Sequence, residues 1–267
     1  MNRTLITICS IALMSLLASC EKVLDIKPDA AAISPVVEAI LTDQPGSAIV
    51  VVSKTQAVDN TNDYEGISGA TVSITDEAGN TTTFTETAAG VYEAPSLTGV
   101  PGHTYTLSVS AAGQQFTAVS SMPYPVAPDS LFTAIDNTFG DERKLVNVVF
   151  RDPANATNQY RFVQYRNGVR EDNIFIRNDE RTNGNRITLP LRYPAGDDED
   201  KLKTGDSVTV EMQCISHGMY KYLYSLSQNT PGIAQSATPA NPETNMEGGA
   251  LGYFSAHTSA KRTIVIE

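Results

Sequence analysis

From Pro35 onward, the sequence is a succession of short β-branched runs separated by turn residues. One run alternates apolar and polar side chains, so that Val72 and Ile74 fall on the same face of a half-buried strand. The pair Asn167-Gly168 is typical of a tight hairpin turn. Short strands joined by polar turns predict a mainly β fold made of antiparallel sheets. They disfavour a parallel sheet with crossover helices.

A proline-rich segment divides the strands into two groups. Pro123, Pro125 and Pro128 stand close together there, and they exclude a central strand and favour an extended connector. We therefore expect an Ig-like antiparallel β-sandwich over residues 35–124. A second β-rich domain with one short helix is expected over residues 125–267.

The single predicted helix lies near residues 217–229. Ser216 is placed to cap its start, and Pro231 ends the pattern. One face, at three- and four-residue spacing, is made of Met219, Tyr222, Leu223 and Leu226. This spacing predicts that the tyrosines of the helix are packing residues rather than a ligand platform.

The first residues have the features of an export signal. Arg3 precedes an uncharged apolar run over residues 5–17, which is shorter than the roughly 20 residues that a spanning helix needs. The run ends in two small residues before Cys20, and this spacing resembles a lipobox. We predict that residues 1–19 form a signal peptide, that Cys20 carries the lipid and that residues 20–34 form a tether.

The charge of the chain limits its partners. Lysine and arginine total 19 against 30 aspartate and glutamate residues, which gives a formal charge of −11. Nucleic-acid binding depends on basic side chains that neutralise phosphates, so we expect no nucleic-acid partner. We expect several acyl chains on the N-terminal cysteine, palmitate among them, to supply the affinity for the membrane. We expect an outer-membrane location, and Glu21 fits surface display, although a periplasm-facing position stays open.

Glycine turns and tyrosine-containing strands recur in the first domain. They are found at residues 69–72, 76–80, 90–92 and 102–107. This set resembles the carboxypeptidase-regulatory or transthyretin-like extracellular sandwich, whose modules are structural or binding units rather than enzymes. The resemblance implies that Tyr92 and Tyr105 are core and corner residues.

Further segments follow one another in order along the mature chain. They are residues 20–23, 38–43, 69–76, 99–105, 205–208 and 248–256. Together they resemble a Bacteroidetes lipoprotein family of unknown function (domain of unknown function 4249). The resemblance implies a lipid-anchored, two-part β protein without established chemistry. Members of that family resemble accessory lipoproteins of outer-membrane uptake systems, which implies a β-barrel transporter as partner.

The sequence offers few residues for catalysis. His103, His217 and His257 lie far apart, and none has a second histidine at metal-ligand spacing. No Gly-x-Ser-x-Gly elbow is present. We interpret Cys214, which lies in an alternating strand pattern, as a buried structural thiol. A nucleophile paired with His217 is the alternative.

Two acidic loops are weak candidates for a hard cation. One contains Asp197, Asp198 and Asp200, and the other spans residues 59–66, where Tyr64 occupies the position at which an EF-hand loop needs glycine. We interpret both as solvated loops. The prediction is that the protein uses neither a metal ion nor a cofactor.

These observations favour a membrane-anchored, non-enzymatic binding or scaffolding lipoprotein of the outer membrane, accessory to a TonB-dependent uptake system. An envelope hydrolase with a site in the second domain is one alternative, and a structural surface adhesin is another. The chain contains no tryptophan, which argues against a sugar-binding platform.

We expect Cys20→Ala to abolish lipidation, because the thiol of Cys20 is the predicted attachment point. Metabolic labelling with an alkyne analogue of palmitate, followed by fractionation of the envelope, measures this directly. The native chain should carry the label and sediment with membranes, and Cys20→Ala should lose both properties. Cys9→Ala is the control and should stay labelled. A labelled Cys20→Ala variant would contradict the assignment.

Overall fold

The structure is a computed structural model of the chain. It describes residues 34–56, 65–137, 142–192, 201–228 and 241–267. Within these ranges the chain forms seventeen β-strands and one α-helix. Three sets of predictions lie outside the described residues: the signal peptide with Cys20 and its tether, the candidates Asp197, Asp198 and Asp200, and most of the loop 59–66.

The strands of the first half are short, and their side chains alternate between buried and more exposed positions. A tight turn at Gly113, with φ of 77°, joins the last two of them. The eight strands are β1 (Pro35–Thr42), β2 (Ile49–Lys54), β3 (Thr71–Asp76), β4 (Thr81–Thr83), β5 (Thr85–Ala88), β6 (Val91–Glu93), β7 (Thr104–Ala111) and β8 (Gln114–Ser121).

The second half contains the longer strands and the helix. The predicted hairpin turn is present, with Asn167 and Gly168 both at positive φ, as a primed turn requires. The elements are β9 (Ser130–Asp136), β10 (Arg143–Arg151), β11 (Gln159–Arg166), β12 (Val169–Arg170), β13 (Phe175–Asn178), β14 (Arg186–Pro190), β15 (Ser207–Ile215), α1 (His217–Gln228), β16 (Met246–Glu247) and β17 (Leu251–Val265).

These strands form three sheets. The largest has nine strands, in the order β12-β11-β15-β17-β1-β2-β6-β5, and β13 also pairs with β11. A five-stranded sheet has the order β16-β8-β7-β3-β4, and a three-stranded sheet has the order β14-β10-β9. Strands from both halves of the sequence therefore share one sheet.

Strand β17 joins the two halves. Its residues 251–257 pair in parallel with β1, and its residues 258–265 pair antiparallel with β15. Residues Ile33–Glu267 accordingly form one compact unit. The predicted domain boundary after Tyr124 stays a prediction, and the structure adds that the C-terminal strand contributes to the cores of both halves.

The first core lies between the nine-stranded and the five-stranded sheets. Val37 and Leu41 of β1 face it from one side, and Leu107 and Phe116 of β7 and β8 face it from the other. Phe254 of β17 completes the cluster. Full burial of each such side chain contributes about 1.5–3 kcal/mol, so this contact holds the two sheets face to face.

The second core joins the other end of the nine-stranded sheet to the three-stranded sheet. Phe150 of β10 packs edge-on against Tyr160 of β11, with ring centroids 5.0 Å apart, and it also contacts Phe162. Edge-to-face pairs of this kind add about 0.5–1.5 kcal/mol beyond the area that they bury. Met212 and Cys214 of β15 belong to the same cluster.

The helix is positioned by its apolar side. Met219 and Leu223 are buried against Ile215, where β15 ends. The hydroxyl of Ser216 accepts a hydrogen bond from the backbone N–H of Met219 at 3.4 Å, as expected of an N-cap. The ring centroid of Tyr222 lies 4.9 Å from that of Tyr253 on β17, so this tyrosine packs as predicted. Tyr224 does not, because it is 52% exposed.

The predicted fold class is confirmed, because the chain is mainly β, largely antiparallel and has one short helix among the described residues. Tyr92 and Tyr105 are buried, as predicted. The hydroxyl of Tyr92 donates to the carbonyl of Ile67 at 2.8 Å, and that of Tyr105 accepts from the N–H of Val100 at 2.7 Å. The strand pattern did not predict β9 or the parallel pairing of β1 with β17.

Gly252→Ala should destabilise the fold strongly. A Cβ at this position would lie 2.1 Å from the carbonyl oxygen of Val37, where β17 begins to pair with β1, and φ is +97°. We expect a loss of about 2 kcal/mol or more in the free energy of unfolding, measured by urea denaturation. Gly113→Ala is the matched control, since its φ is +77° with no atom within 4 Å. Equal losses in the two variants would contradict the close approach of β17 to β1.

Candidate functional site

The candidate site lies on the face of the nine-stranded sheet that is turned away from the two cores. Along β17, Phe254 and Ala256 are core residues, whereas Ser255 and His257 alternate with them. Successive side chains of a strand point to opposite faces, so the alternating set on β17 shares the second face. That face is polar, although much of it is buried.

The strand register places polar residues of three strands side by side. Glu211 of β15 lies opposite Lys261 of β17, and Gln213 lies opposite Ser259. On the other side of β15, Arg161 of β11 lies opposite Gln213. Directly paired residues in a sheet are within contact distance, so these side chains form one continuous polar cluster.

A cleft of about 190 Å³ opens over this cluster. Five strands line it, and Met219 of α1 lines it as well. The lining residues are Ile40, Thr42, Arg161, Val163, Tyr165, Arg170, Glu211, Gln213, Met219, Tyr253, Ser255 and His257. The cleft therefore combines two arginines, one carboxylate and several neutral polar groups with an apolar and aromatic rim.

The carboxylate of Glu211 is fully engaged. One oxygen accepts hydrogen bonds from Gln213 Nε2 at 2.8 Å and Ser259 Oγ at 2.9 Å. The other accepts from the hydroxyl of Tyr165 at 3.0 Å and lies 3.2 Å from Lys261 Nζ. Burial by itself would raise the pKa of Glu211, but these hydrogen bonds and the charge of Lys261 lower it overall. Glu211 is thus ionised, and it connects the polar residues of the cluster.

Arg161 has no such partner. The residue is half-buried, and none of the hydrogen bonds or ion pairs among the described residues involves its guanidinium. Burial and the nearby positive charge of Arg170 lower the pKa of Arg161. Glu171, the acid next to Arg170 in sequence, lies 3.2 Å from Arg166 instead and accepts a hydrogen bond from Gln164. Two guanidinium groups therefore line the cleft, and neither is paired with a carboxylate among the described residues.

Gln213 contributes an unsatisfied acceptor. The residue is 7% exposed, and its Nε2 is committed to Glu211. Its Oε1 is buried and has no hydrogen-bond partner. A buried polar atom without a partner costs about 1–3 kcal/mol, so such an atom in the wall of a cleft marks a place where a bound molecule would complete the hydrogen bonding.

His257 is buried and neutral. It is 3% exposed, and its Nδ1 lies 3.0 Å from Ser255 Oγ. Burial lowers the pKa of His257 to about 4, so the ring carries no charge at neutral pH. The positive charge of the cleft is therefore supplied by Arg161 and Arg170, with Lys261 already paired to Glu211.

The other candidate residues from the sequence do not meet at this site. Cys214 is 1% exposed in the second core, where the N–H of Val126 donates to its Sγ at 3.2 Å. Burial raises the pKa of Cys214 to about 11, which supports the structural interpretation. His217 is exposed at the start of α1, and His103 Nδ1 lies 3.5 Å from Glu77 Oε1 on the surface.

Neither a metal centre nor a membrane span is found in the described part of the chain. No three His, Cys, Asp or Glu side chains gather there in a way that would hold a metal ion. The one described helix is too short and too polar to cross a bilayer.

Sequence reasoning considered His257 but missed the charged residues that line the cleft. The signal was present in residues 208–214, where Glu211 and Gln213 alternate with apolar core residues on a strand that is otherwise buried. A buried strand with a charged residue on its second face indicates a polar site on that face. The pairing of this strand with Arg161 could not be read from the sequence, since the two segments are far apart in it.

Comparison with known proteins identifies a family and finds solved structures of low similarity. The family model described as "Domain of unknown function (DUF4249)" matches residues 23–263. No curated protein matches the sequence. A two-domain fibronectin type III segment from chicken tenascin is 14% identical, with 68% of this chain and 90% of that chain covered and a TM-score of 0.22. The adhesin InvE of Yersinia pseudotuberculosis is 20% identical, with 68% and 56% covered and a TM-score of 0.18.

The buried, neutral state of His257 makes stability depend on pH. Between pH 6.5 and about 4, the unfolded chain binds a proton at this residue that the folded chain does not, so the free energy of unfolding falls as the pH is lowered. The loss from His257 over this window is about 3 kcal/mol at most. His257→Gln should flatten the dependence, measured by urea denaturation between pH 7 and pH 5. His103→Gln is the surface control and should keep the native slope, and an unchanged slope in His257→Gln would contradict the buried neutral state.

Proposed function

The chain belongs to the family described as "Domain of unknown function (DUF4249)", and we propose a function that this description leaves open. The protein is a lipid-anchored, non-enzymatic binding lipoprotein of a bacterial outer membrane, accessory to a TonB-dependent uptake system. In this proposal the chain is a Bacteroidetes lipoprotein, and its first domain is a transthyretin-like sandwich.

The observation that carries the binding role is the cleft with its unpaired Arg161. A half-buried guanidinium without an acid partner is costly in a folded protein. Such a group is retained where a ligand supplies the missing charge. The cleft is also built on sheet strands, and rigid elements hold binding groups more accurately than loops do.

Support for the anchor comes from the sequence. The charged start, the short apolar run and the small residues before Cys20 together fit a lipoprotein signal. The net charge of −11 makes direct adhesion to anionic lipids unfavourable, so acyl chains on Cys20 supply the membrane affinity.

An envelope hydrolase is the second candidate. It is favoured by one contact, the distance of 3.0 Å between Ser255 Oγ and His257 Nδ1 in the cleft. A serine nucleophile needs a histidine that takes its proton and an acid that orients the ring. The carboxylate of Glu211 is occupied by other donors. Asp43, whose charge also acts on His257, accepts from the backbone N–H of Ser259, so neither acid has a hydrogen bond to the imidazole ring among the described residues. The binding role therefore fits the geometry better.

Affinity capture from the bacterium that encodes the protein tests the proposed role. We expect the native chain with a C-terminal tag to co-purify with an outer-membrane β-barrel after mild detergent extraction, and Cys20→Ala to lose this partner. An unrelated lipoprotein with the same tag is the control for non-specific capture. Protease treatment of intact cells then reports which side of the membrane the chain occupies.

Failure to recover a barrel, together with protection from protease, would contradict an uptake role. Ester or amide hydrolysis by the purified chain that Ser255→Ala abolishes would favour the hydrolase instead.

A further inference from the structure

We propose that the cleft binds a small molecule with one carboxylate group, which Arg161 and Arg170 hold, and with an N–H or O–H donor that reaches Gln213 Oε1. A free amino acid or the C-terminal end of a short peptide has this chemistry. The inference deepens the proposed binding function and rests on it.

The positive charge of the cleft favours an anionic ligand. Arg161 and Arg170 both line it, and neither guanidinium takes part in a hydrogen bond or ion pair among the described residues. The carboxylate that lines the cleft with them, Glu211, already has four partners. The planar guanidinium group matches a carboxylate in a bidentate arrangement, which is shorter and stronger than a neutral hydrogen bond.

A singly charged anion fits better than a phosphate. Glu211 stays ionised within the same cluster, and Glu38 of β1 lies opposite Tyr253 at the rim. A phosphate monoester carries a charge of about −1.5 to −2 near neutral pH, so it would be repelled more strongly by these two acids. A carboxylate brings one negative charge against two arginines.

The neutral groups of the cleft define the rest of the ligand. Gln213 Oε1 is a buried acceptor without a partner, so the ligand needs a donor at this position. Tyr253, Tyr165 and Met219 supply apolar and aromatic surface around it. The volume of about 190 Å³ exceeds the ~150 Å³ that accommodates benzene in an apolar protein cavity, so it suits a molecule of amino-acid size.

Calorimetric titration of the full lipidated chain in detergent micelles tests the inference. The probes are L-alanine and L-alanyl-L-alanine, which carry the carboxylate and the amino donor, with their C-terminal amides, propionate and inorganic phosphate for comparison. We expect the carboxylates to bind at least tenfold more tightly than the matching amides. L-Alanine should bind more tightly than propionate, which lacks the donor for Gln213 Oε1.

Two variants connect the binding to the cleft. Arg161→Met keeps an unbranched stem but removes the charge, and it should weaken carboxylate binding at least tenfold. Arg186→Met is the matched control, since Arg186 lies on β14 in another sheet, mostly exposed and 4.0 Å from Asp129. It should bind like the native chain.

Several results would overturn the inference: amides that bind as well as acids, phosphate that binds in place of carboxylates, no binding at millimolar concentrations, or an unchanged affinity in Arg161→Met. Failure of the inference is distinguishable from failure of the proposed function. If the β-barrel partner is captured while the carboxylates do not bind, only the ligand class is wrong. If carboxylates bind, no partner is captured and the chain is protected from protease, the uptake role fails instead.

Discussion

The double pairing of β17 is the constraint on which the rest of the structure depends. This strand of fifteen residues pairs in parallel with β1 and then antiparallel with β15. Its backbone hydrogen bonds therefore connect the strands of the first half to those of the second half within the nine-stranded sheet. Its core-facing side chains, such as Phe254, contribute to the first core, and Ile266 just beyond its end belongs to the second. Without this strand, β1 and β15 would each present an unpaired edge, and the two halves would not share a sheet.

This arrangement also has a kinetic consequence. β1 begins at Pro35 and β17 ends at Val265, so their pairing joins segments from opposite ends of the described chain. Contacts between residues far apart in sequence require loop closure before they become favourable, and folds rich in them form slowly. The pairing of β17 with β1 at the centre of the largest sheet is therefore expected to form slowly. The close approach at Gly252 shows how little space is left between β17 and β1 once they pair.

The sequence was informative about local structure and uninformative about pairing. The local signals are the alternation in β3, the Asn167-Gly168 turn and the spacing of Met219 and Leu223, and the structure confirms the elements that they predict. The parallel pairing and the cleft arise from contacts between distant strands, for which a single sequence contains no direct signal. Glu211 and Gln213 could be recognised as polar residues in a buried strand. Arg161, one of the two arginines that give the cleft its positive charge, is brought beside them only by the register of β11.

The cleft is lined by strands on both sides of β17, so a ligand bound there would affect how the two halves are held together. Its lining residues come from β1 near the start of the described chain, from β11, β12 and β15 in the second half, and from β17 between them. A molecule bound there would contact the strands on both sides of the joining strand at once. Because a ligand that binds only the folded state raises the free energy of unfolding, occupancy would stabilise the pairing of β17 with both halves together. The proposed binding cleft and the strand that joins the two halves are thus one part of the molecule, and a change in either is expected to affect the other.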